Sequence, residues 1–177
     1  MISFEYLFKD KITILDEIKF FEKETHAITF IQEKKYELIK EKDLTKYGNI
    51  QALQNLIFSY LSGKNVNLYD NIKDLHIDLG VKKKFQTEFS QNVISNLVNL
   101  DRGEITTYSE IGNRIDSTAY RAIGNILRRN PLPLIIPCHR VIRKNGDIGG
   151  FMGESDRSWQ LNLKRRLLEI EQLSSDP

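Results

Sequence analysis

Three of the four prolines in this chain fall within seven residues, at Pro131, Pro133 and Pro137. Each fixes φ and removes a backbone donor, and each pushes the residue before it out of the helical region. The run from Asn130 to Pro137, NPLPLIIP, therefore excludes helix and reads as an extended segment. Its apolar content predicts burial. What it carries into the interior is Cys138, the single cysteine of the chain, followed at once by His139 and Arg140. Any fold for this sequence has to pack its remaining elements around that stiff segment and the polar groups at its end.

Helical patterns lie on both sides of it. NIQALQNLIFSYLSGKN (49–65) repeats Leu53, Leu56, Ile57, Tyr60 and Leu61 at helical spacing, with Gly63 placed to end the helix. KFQTEFSQNVISNLVNL (84–100) sets Phe85, Phe89, Val93, Leu97 and Leu100 on one stripe. A short helix near 108–115, a turn at 116–118 and a second helix to about 129 form a helix-turn-helix pattern, in which Ser117 or Thr118 is placed to cap the second helix. Ala119, Ala122, Ile123, Ile126 and Leu127 are its apolar positions. SWQLNLKRRLLEIEQL (158–173) reads as a helix with Trp159, Leu163, Leu167 and Ile170 inward. The N-terminal part is less clearly signed. AITFI (27–31), after His26, favours strand, and LHIDLGV (75–81) alternates like one. Segments 2–8 and 11–20 are consistent with strand or with helix. A domain boundary is expected near 80–84, at Gly80 and the run Lys82-Lys83-Lys84, giving domains 1–82 and 83–177.

Length and composition bound the function classes. A chain of 177 residues buries about 70% of its unfolded surface and needs no disulfide or metal to fold. One cysteine excludes an internal disulfide and suits a reducing compartment. The charges at Lys9, Asp10 and Lys11 interrupt any signal-peptide core, and no apolar run reaches about 18 residues, so a cytoplasmic protein is expected, or a nuclear one in a eukaryote. The net charge is +2, but residues 1–80 hold 11 Lys, no Arg and 13 acidic residues, whereas the remainder holds every arginine and an excess of four positive charges. Arginine is the better phosphate ligand. A moderate basic excess is nonetheless more often a solvated surface than a nucleic-acid site. Three histidines and one cysteine show no zinc spacing, and no phosphate-binding glycine loop is present, so neither metal nor cofactor is expected.

Two readings of Cys138 stand side by side. A thiol buried among apolar groups is normally inert. A thiol beside an imidazole and a cation can instead be drawn toward thiolate and act as a nucleophile, provided a carboxylate orients the imidazole.

The residues Pro137-Cys138-His139-Arg140-Val141 resemble the PCHRV signature of the methylated-DNA–protein-cysteine methyltransferases, the O6-alkylguanine-DNA alkyltransferases. The order GEITTYSEIGNRI, YRAIGNILRRNPLPLIIPCHRVI, GDIGGF and LKRRLLEIE is similar to the family pattern across about residues 84–172. The resemblance implies an N-terminal α/β domain of ribonuclease-H-like arrangement and a mainly α C-terminal domain with a helix-turn-helix. It also implies a monomer that binds duplex DNA through the minor groove, flips out an alkylated guanine and takes the alkyl group irreversibly onto its own cysteine, with no cofactor. On that resemblance Cys138 is the acceptor, His139 the base acting through a water, and Glu171 the carboxylate that orients it, with Glu169 its solvated neighbour. Asn130 braces the turn before the active strand. Arg121 fills the gap left by the flipped base, and Tyr108 crowds the adjacent phosphate. Small Ala119, Ala122 and Gly124 let the helix approach the groove. Val141, Phe151, Pro133 and Leu127 are pocket positions, and Arg140 is an internal buttress.

The chain departs from the family pattern at Tyr120, at Asn125 and in the longer, charged loop FMGESDRSWQLN after Phe151. The last leaves the outer wall of the pocket, and its tolerance for bulky alkyl groups, open. Two alternatives remain at this stage: a non-enzymatic helix-turn-helix DNA-binding protein, and a cysteine hydrolase using Cys138 and His139.

Overall fold

The computed structural model describes residues 2–9, 12–20, 48–154 and 159–172. The first two segments are strands. β1 (Ile2–Lys9) and β2 (Ile12–Phe20) form an antiparallel hairpin paired from Ile2↔Phe20 to Lys9↔Ile12, with an irregularity at Glu5/Tyr6. Ile2, Phe4, Tyr6 and Phe8 recur with the period of two that a strand requires, and this alternation outweighs the helical alternative. The strand-favouring run 27–31 lies outside the described residues.

Helix α1 (Gly48–Leu61) follows, then α2 (Leu68–Asp74), whose N-cap Asn67 accepts the N–H of Asp70 at 3.2 Å. The predicted strand at 75–81 is realised only as β3 (Ile77–Asp78), parallel to β2. It is cut short by His76 at φ 53° before it and Gly80 at φ 56° after it, and Val81–Lys84 turns into the short helix α3. α4 (Glu88–Val98) starts at Thr87, whose hydroxyl accepts the N–H of Ser90. It buries Val93, Ile94 and Leu97, while Phe85 and Leu100 close the stripe at either end.

β4 (Thr106–Thr107) runs into α5 (Tyr108–Arg114) through a capping box. Thr107 Oγ1 accepts the N–H of Glu110, and the Glu110 carboxylate accepts the N–H of Thr107 at 2.7 Å. α6 (Tyr120–Arg128) comes after a turn. Its N-cap is Ala119, which makes no side-chain cap bond, so neither Ser117 nor Thr118 caps the helix. Ser117 is spent on the turn instead: its Oγ accepts the N–H of Ala119 and its own N–H goes to Gly112 O. Ile123 and Leu127 are the buried residues of α6, while Ala119 is exposed and Ala122 half-buried.

The proline segment is buried as the sequence implied, from Leu132 to Arg140 without a break. It is not extended throughout. The N–H of Ile136 returns to Leu132 O at 2.9 Å, Pro133 bridges Ile136, and Leu134 takes φ 74°. Prolines exclude helix but not a tight turn, and this turn lets a short segment double back inside the core. A 3-10 turn (Cys138–Arg140) and β5 (Val141–Ile142), parallel to β4, complete the centre. α7 (Trp159–Gln172) packs over them. The architecture is mixed α/β, and one contiguous set of buried apolar residues runs from Leu53 on α1 to Leu167 on α7.

Candidate active site

The turn that follows Pro137 places Cys138, His139 and Arg140 almost out of contact with water, at 7%, 0% and 6% exposure. Asn130 holds the approach to it. Its side-chain N–H group donates to Ile136 O at 2.9 Å and to Cys138 Sγ at 3.1 Å, and its Oδ1 accepts the N–H of Leu132. Asn130 thus ties the first and last residues of the proline turn to the sulfur. Burial pushes the Cys138 thiol above its ordinary range, against the bond from Asn130 and the charge of Lys164. At neutral pH the sulfur rests as a thiol and requires a base.

His139 is the nearest base in sequence. Burial lowers its proton affinity, against the bond and charge of Glu171, so the ring is neutral. Its Nε2 lies 3.0 Å from Glu171 Oε1 and 3.2 Å from the Tyr60 hydroxyl. Its Nδ1 has no hydrogen-bond partner among the described residues. With Nε2–H directed at a carboxylate, the lone pair resides on Nδ1.

Glu171 comes from the last turn of α7 and is 1% exposed. Burial opposes its ionisation, but the bonds and charges of His139 and Arg140 outweigh burial and hold the carboxyl well below the usual carboxylate range. The Arg140 guanidinium grips the carboxylate at several points. Nε lies 3.1 Å from both carboxylate oxygens, Nη2 donates to Oε1 at 2.8 Å, and Nη1 donates to Leu100 O at 2.7 Å. Gly103 N adds a bond to Oε2 at 3.3 Å.

Three participants were not legible as such in the sequence. Tyr60 reads as one more apolar position of α1, yet its hydroxyl reaches Glu171 and His139. Arg102 reads as surface, yet its guanidinium lies 4.4 Å from the centre of the Tyr60 ring and donates to Ile170 O at 3.0 Å. Lys164 is fully buried, and its ammonium donates to Val141 O and Ile148 O at 2.6 Å and to Gly150 O at 3.2 Å. Burial pushes its pKa down to about 8, with the charge of Cys138 acting the other way. One signal was available: Lys164, Leu167 and Glu171 share one helical stripe at i, i+3 and i+7.

A cavity of about 170 Å³ borders the sulfur. Leu127 and Phe151 line it, joined by Tyr108, Gly124, Arg128 and Met152. Val141 and Pro133 do not line it. Val141 is fully buried with its carbonyl engaged by Lys164, and Pro133 is locked into the turn behind the thiol. The loop at Gly150–Glu154 forms the outer wall, and Gly153, at φ 91°, lies against the Arg128 side chain. Arg121 is exposed on the first turn of α6, on the same element that lends Gly124 and Leu127 to the cavity. Among the described residues no group of His, Cys, Asp and Glu is arranged to hold a metal ion.

Residues 88–173 match the family model described as 6-O-methylguanine DNA methyltransferase, DNA binding domain. A methylated-DNA–protein-cysteine methyltransferase of Methanosarcina mazei is 31% identical over 152 residues, covering 85% of this chain and 86% of the relative. Its namesake in Methanothermobacter thermautotrophicus is 43% identical over 88 residues, covering 50% of this chain and 46% of the relative. Matches of this second kind span about half the length of the curated relatives concerned. Among solved structures, Mycobacterium tuberculosis OGT in complex with DNA superposes with a TM-score of 0.59 at 25% identity, covering 91% of this chain and 82% of that one. An O6-methylguanine DNA methyltransferase from Methanococcus jannaschii gives a TM-score of 0.63 at 23% identity, covering 100% and 96%, and supports the same fold.

Proposed function

The chain belongs to the methylated-DNA–protein-cysteine methyltransferase family, and from that premise we propose that it repairs duplex DNA by moving the alkyl group of O6-alkylguanine irreversibly onto Cys138. The observation that carries this reading is a sulfur bordering a cavity while a buried Glu171–His139 pair stands behind it. His139 Nδ1 takes the thiol proton through a bridging water, and the positive charge that develops on the ring is balanced by Glu171. The thiolate displaces guanine at the alkyl carbon: a C–S bond forms, the C–O6 bond breaks, and guanine leaves with its electron pair. The proton removed from sulfur ends on the released guanine, so no other reactant is needed. A thioether on the sole cysteine has no thiol to exchange with, and each molecule acts once.

DNA is engaged in the same reading by α5 and α6 as a helix-turn-helix in the minor groove, with the N-terminal residues 1–82 as a ribonuclease-H-like domain and residues 83–177 as the reactive one. Arg121 enters the stack in place of the extruded base, an exchange suited to a long planar cation. Ala119, Ala122 and Gly124 keep α6 low against the groove, and Tyr108 crowds the phosphate next to the target. The protein acts as a monomer in the compartment that holds the DNA. No helix among the described residues is long and apolar enough to cross a membrane.

Intact-mass measurement after mixing with an O6-methylguanine oligonucleotide tests the reaction. One methyl group per protein, on the peptide holding Cys138 and absent in Cys138→Ser, is the expected result. Multiple turnovers without a stable mass gain would establish a cysteine hydrolase instead.

A further inference from the structure

The Tyr60 hydroxyl stands at the back of the site, and no step above uses it. The residue is 1% exposed and projects from α1, far in sequence from the turn that carries the thiol. Its ring is clamped by Arg102, whose guanidinium covers one face and bonds the carbonyls of Ile170 and, at 3.4 Å, of Tyr60 itself. A phenol owns one proton. Here that proton is donated to Glu171 Oε1, so the oxygen presents a lone pair to His139 Nε2 at 3.2 Å. Nε2–H is then shared between two acceptors, Glu171 Oε1 and Tyr60 Oη.

The second acceptor matters because the first is heavily engaged. Glu171 Oε1 also receives Arg140 Nε and Nη2, and Oε2 receives Arg140 Nε and Gly103 N. A carboxylate that also pairs with a guanidinium is a weaker partner for an imidazolium than one that serves it alone. The other charged groups bearing on His139, Arg140 and Lys164, both work against a positive ring. Burial, followed by the charge of Glu171, holds the phenol far above its ordinary range, so it stays a neutral donor to Glu171 at any working pH.

We propose that Tyr60 is a positioning residue for alkyl transfer: its hydroxyl oxygen is the second acceptor of His139 Nε2–H, fixing the ring with Nδ1 bare and supporting the charge that ring gains when it takes the Cys138 proton. The proposal rests on the reading of Cys138 as alkyl acceptor. It makes α1, in the N-terminal part of the chain, a contributor to the chemistry of the C-terminal part.

Nitrogen-15 NMR of histidine-labelled protein reads the ring directly, with three histidines to resolve. The wild type should show His139 protonated at Nε2 only, with its proton in dipolar contact with the Tyr60 hydroxyl proton. A ring protonated at Nδ1 overturns the proposal without any variant, which decides the matter even where Tyr60→Phe fails to fold. In Tyr60→Phe the Nε2–H resonance should move. Methyl transfer should slow roughly tenfold, the lower end of what loss of an outer hydrogen-bonding partner costs, on free O6-methylguanine and on duplex alike. A slower variant whose Nε2–H resonance is unmoved would show Tyr60 to be a packing residue only and overturn the proposal. Absence of methyl uptake by the wild type would overturn the transfer reaction, while the wild-type spectrum would still decide the hydrogen bond.

Discussion

Cys138 is buried where a thiolate is disfavoured, and its partners do not reverse that. On the proposed reading, a resting thiol protects a protein that reacts once from losing its sulfur to chance electrophiles. The proposed mechanism leaves deprotonation to His139, whose ring burial keeps neutral. The sign of the pH dependence follows. The folded-state affinity of His139 for a proton is below its ordinary value of 6.5, so the base form persists as pH falls through that value. The rate of methyl transfer to the wild type should have its midpoint below pH 6.5; a midpoint at or above 6.5 in stopped-flow kinetics on free O6-methylguanine would show that His139 is not depressed. Stability has a matching sign. Both His139 and Glu171 bind protons less readily folded than unfolded, so acid destabilises the fold, beginning as pH drops below 6.5 for the histidine and below 4.5 for the glutamate. Glu171→Gln removes the group that supports the charged ring, and should slow transfer by about 10- to 100-fold on free base and duplex equally. A rate that is unchanged in this variant would remove Glu171 from the mechanism.

At the scale of elements, α7 shows what a sequence reading can and cannot reach. Its apolar stripe is plain in the sequence and the family pattern marks Glu171, but nothing marks Lys164 on the same stripe as buried, because lysine is ordinarily a surface residue. Three carbonyls turned toward its ammonium, from Val141 on β5 and from Ile148 and Gly150 in the loop after it, make burial affordable. Tyr60 and Arg102 were missed for the same reason: their partners are set by tertiary packing. The helices around the turn at 116–118 were legible from spacing, whereas the cap was not, because Ser117 serves the turn. Gly112 and Gly124 on this pair of helices should respond differently to a methyl group. A Cβ at Gly112 would stand 2.4 Å from Ser117 O and 2.6 Å from Tyr120 Cε1, so Gly112→Ala must displace backbone and should destabilise by about 1–3 kcal/mol in denaturant unfolding. A Cβ at Gly124 meets only Tyr108 Cε1 at an ordinary 3.8 Å. Gly124→Ala should therefore keep or raise stability, by up to about 1 kcal/mol through helix propensity, while weakening duplex binding, and a loss of stability there would place its role inside the fold and not against the groove. The role proposed for Arg121 separates flipping from chemistry. Arg121→Ala should slow duplex repair by the equivalent of about 1–3 kcal/mol, the scale of the unstacking it offsets, and leave transfer from the free base untouched. Equal losses on both substrates would mean that Arg121 supports the pocket.

For the molecule as a whole, the net charge of +2 conceals a separation of charge. The acidic excess lies in residues 1–80 and all the arginines lie beyond, with Arg121 and Arg128 exposed on α6, Arg129 exposed at its C-cap, Arg114 exposed on α5 and Arg143 exposed just after β5. Two of these are already partly neutralised, Arg114 by Glu104 at 3.8 Å and Arg143 by Asp147 at 4.0 Å. Such long surface pairs are worth little and open easily toward a phosphate. A protein that meets DNA with about four cations should lose affinity linearly in log salt, with a slope near −3.6 on duplex, as condensed counterions are released. Sequence preference should be slight, because the minor groove offers a degenerate pattern. Transfer from free O6-methylguanine meets no phosphate, so its rate should be nearly indifferent to the same salt range. Fluorescence anisotropy on duplexes of varied sequence measures the first two, and the free-base rate measures the third. A salt-insensitive affinity, or strong selection of one undamaged sequence, would point to recognition by base edges. The separation of charge would then have nothing to do with how the protein finds its substrate.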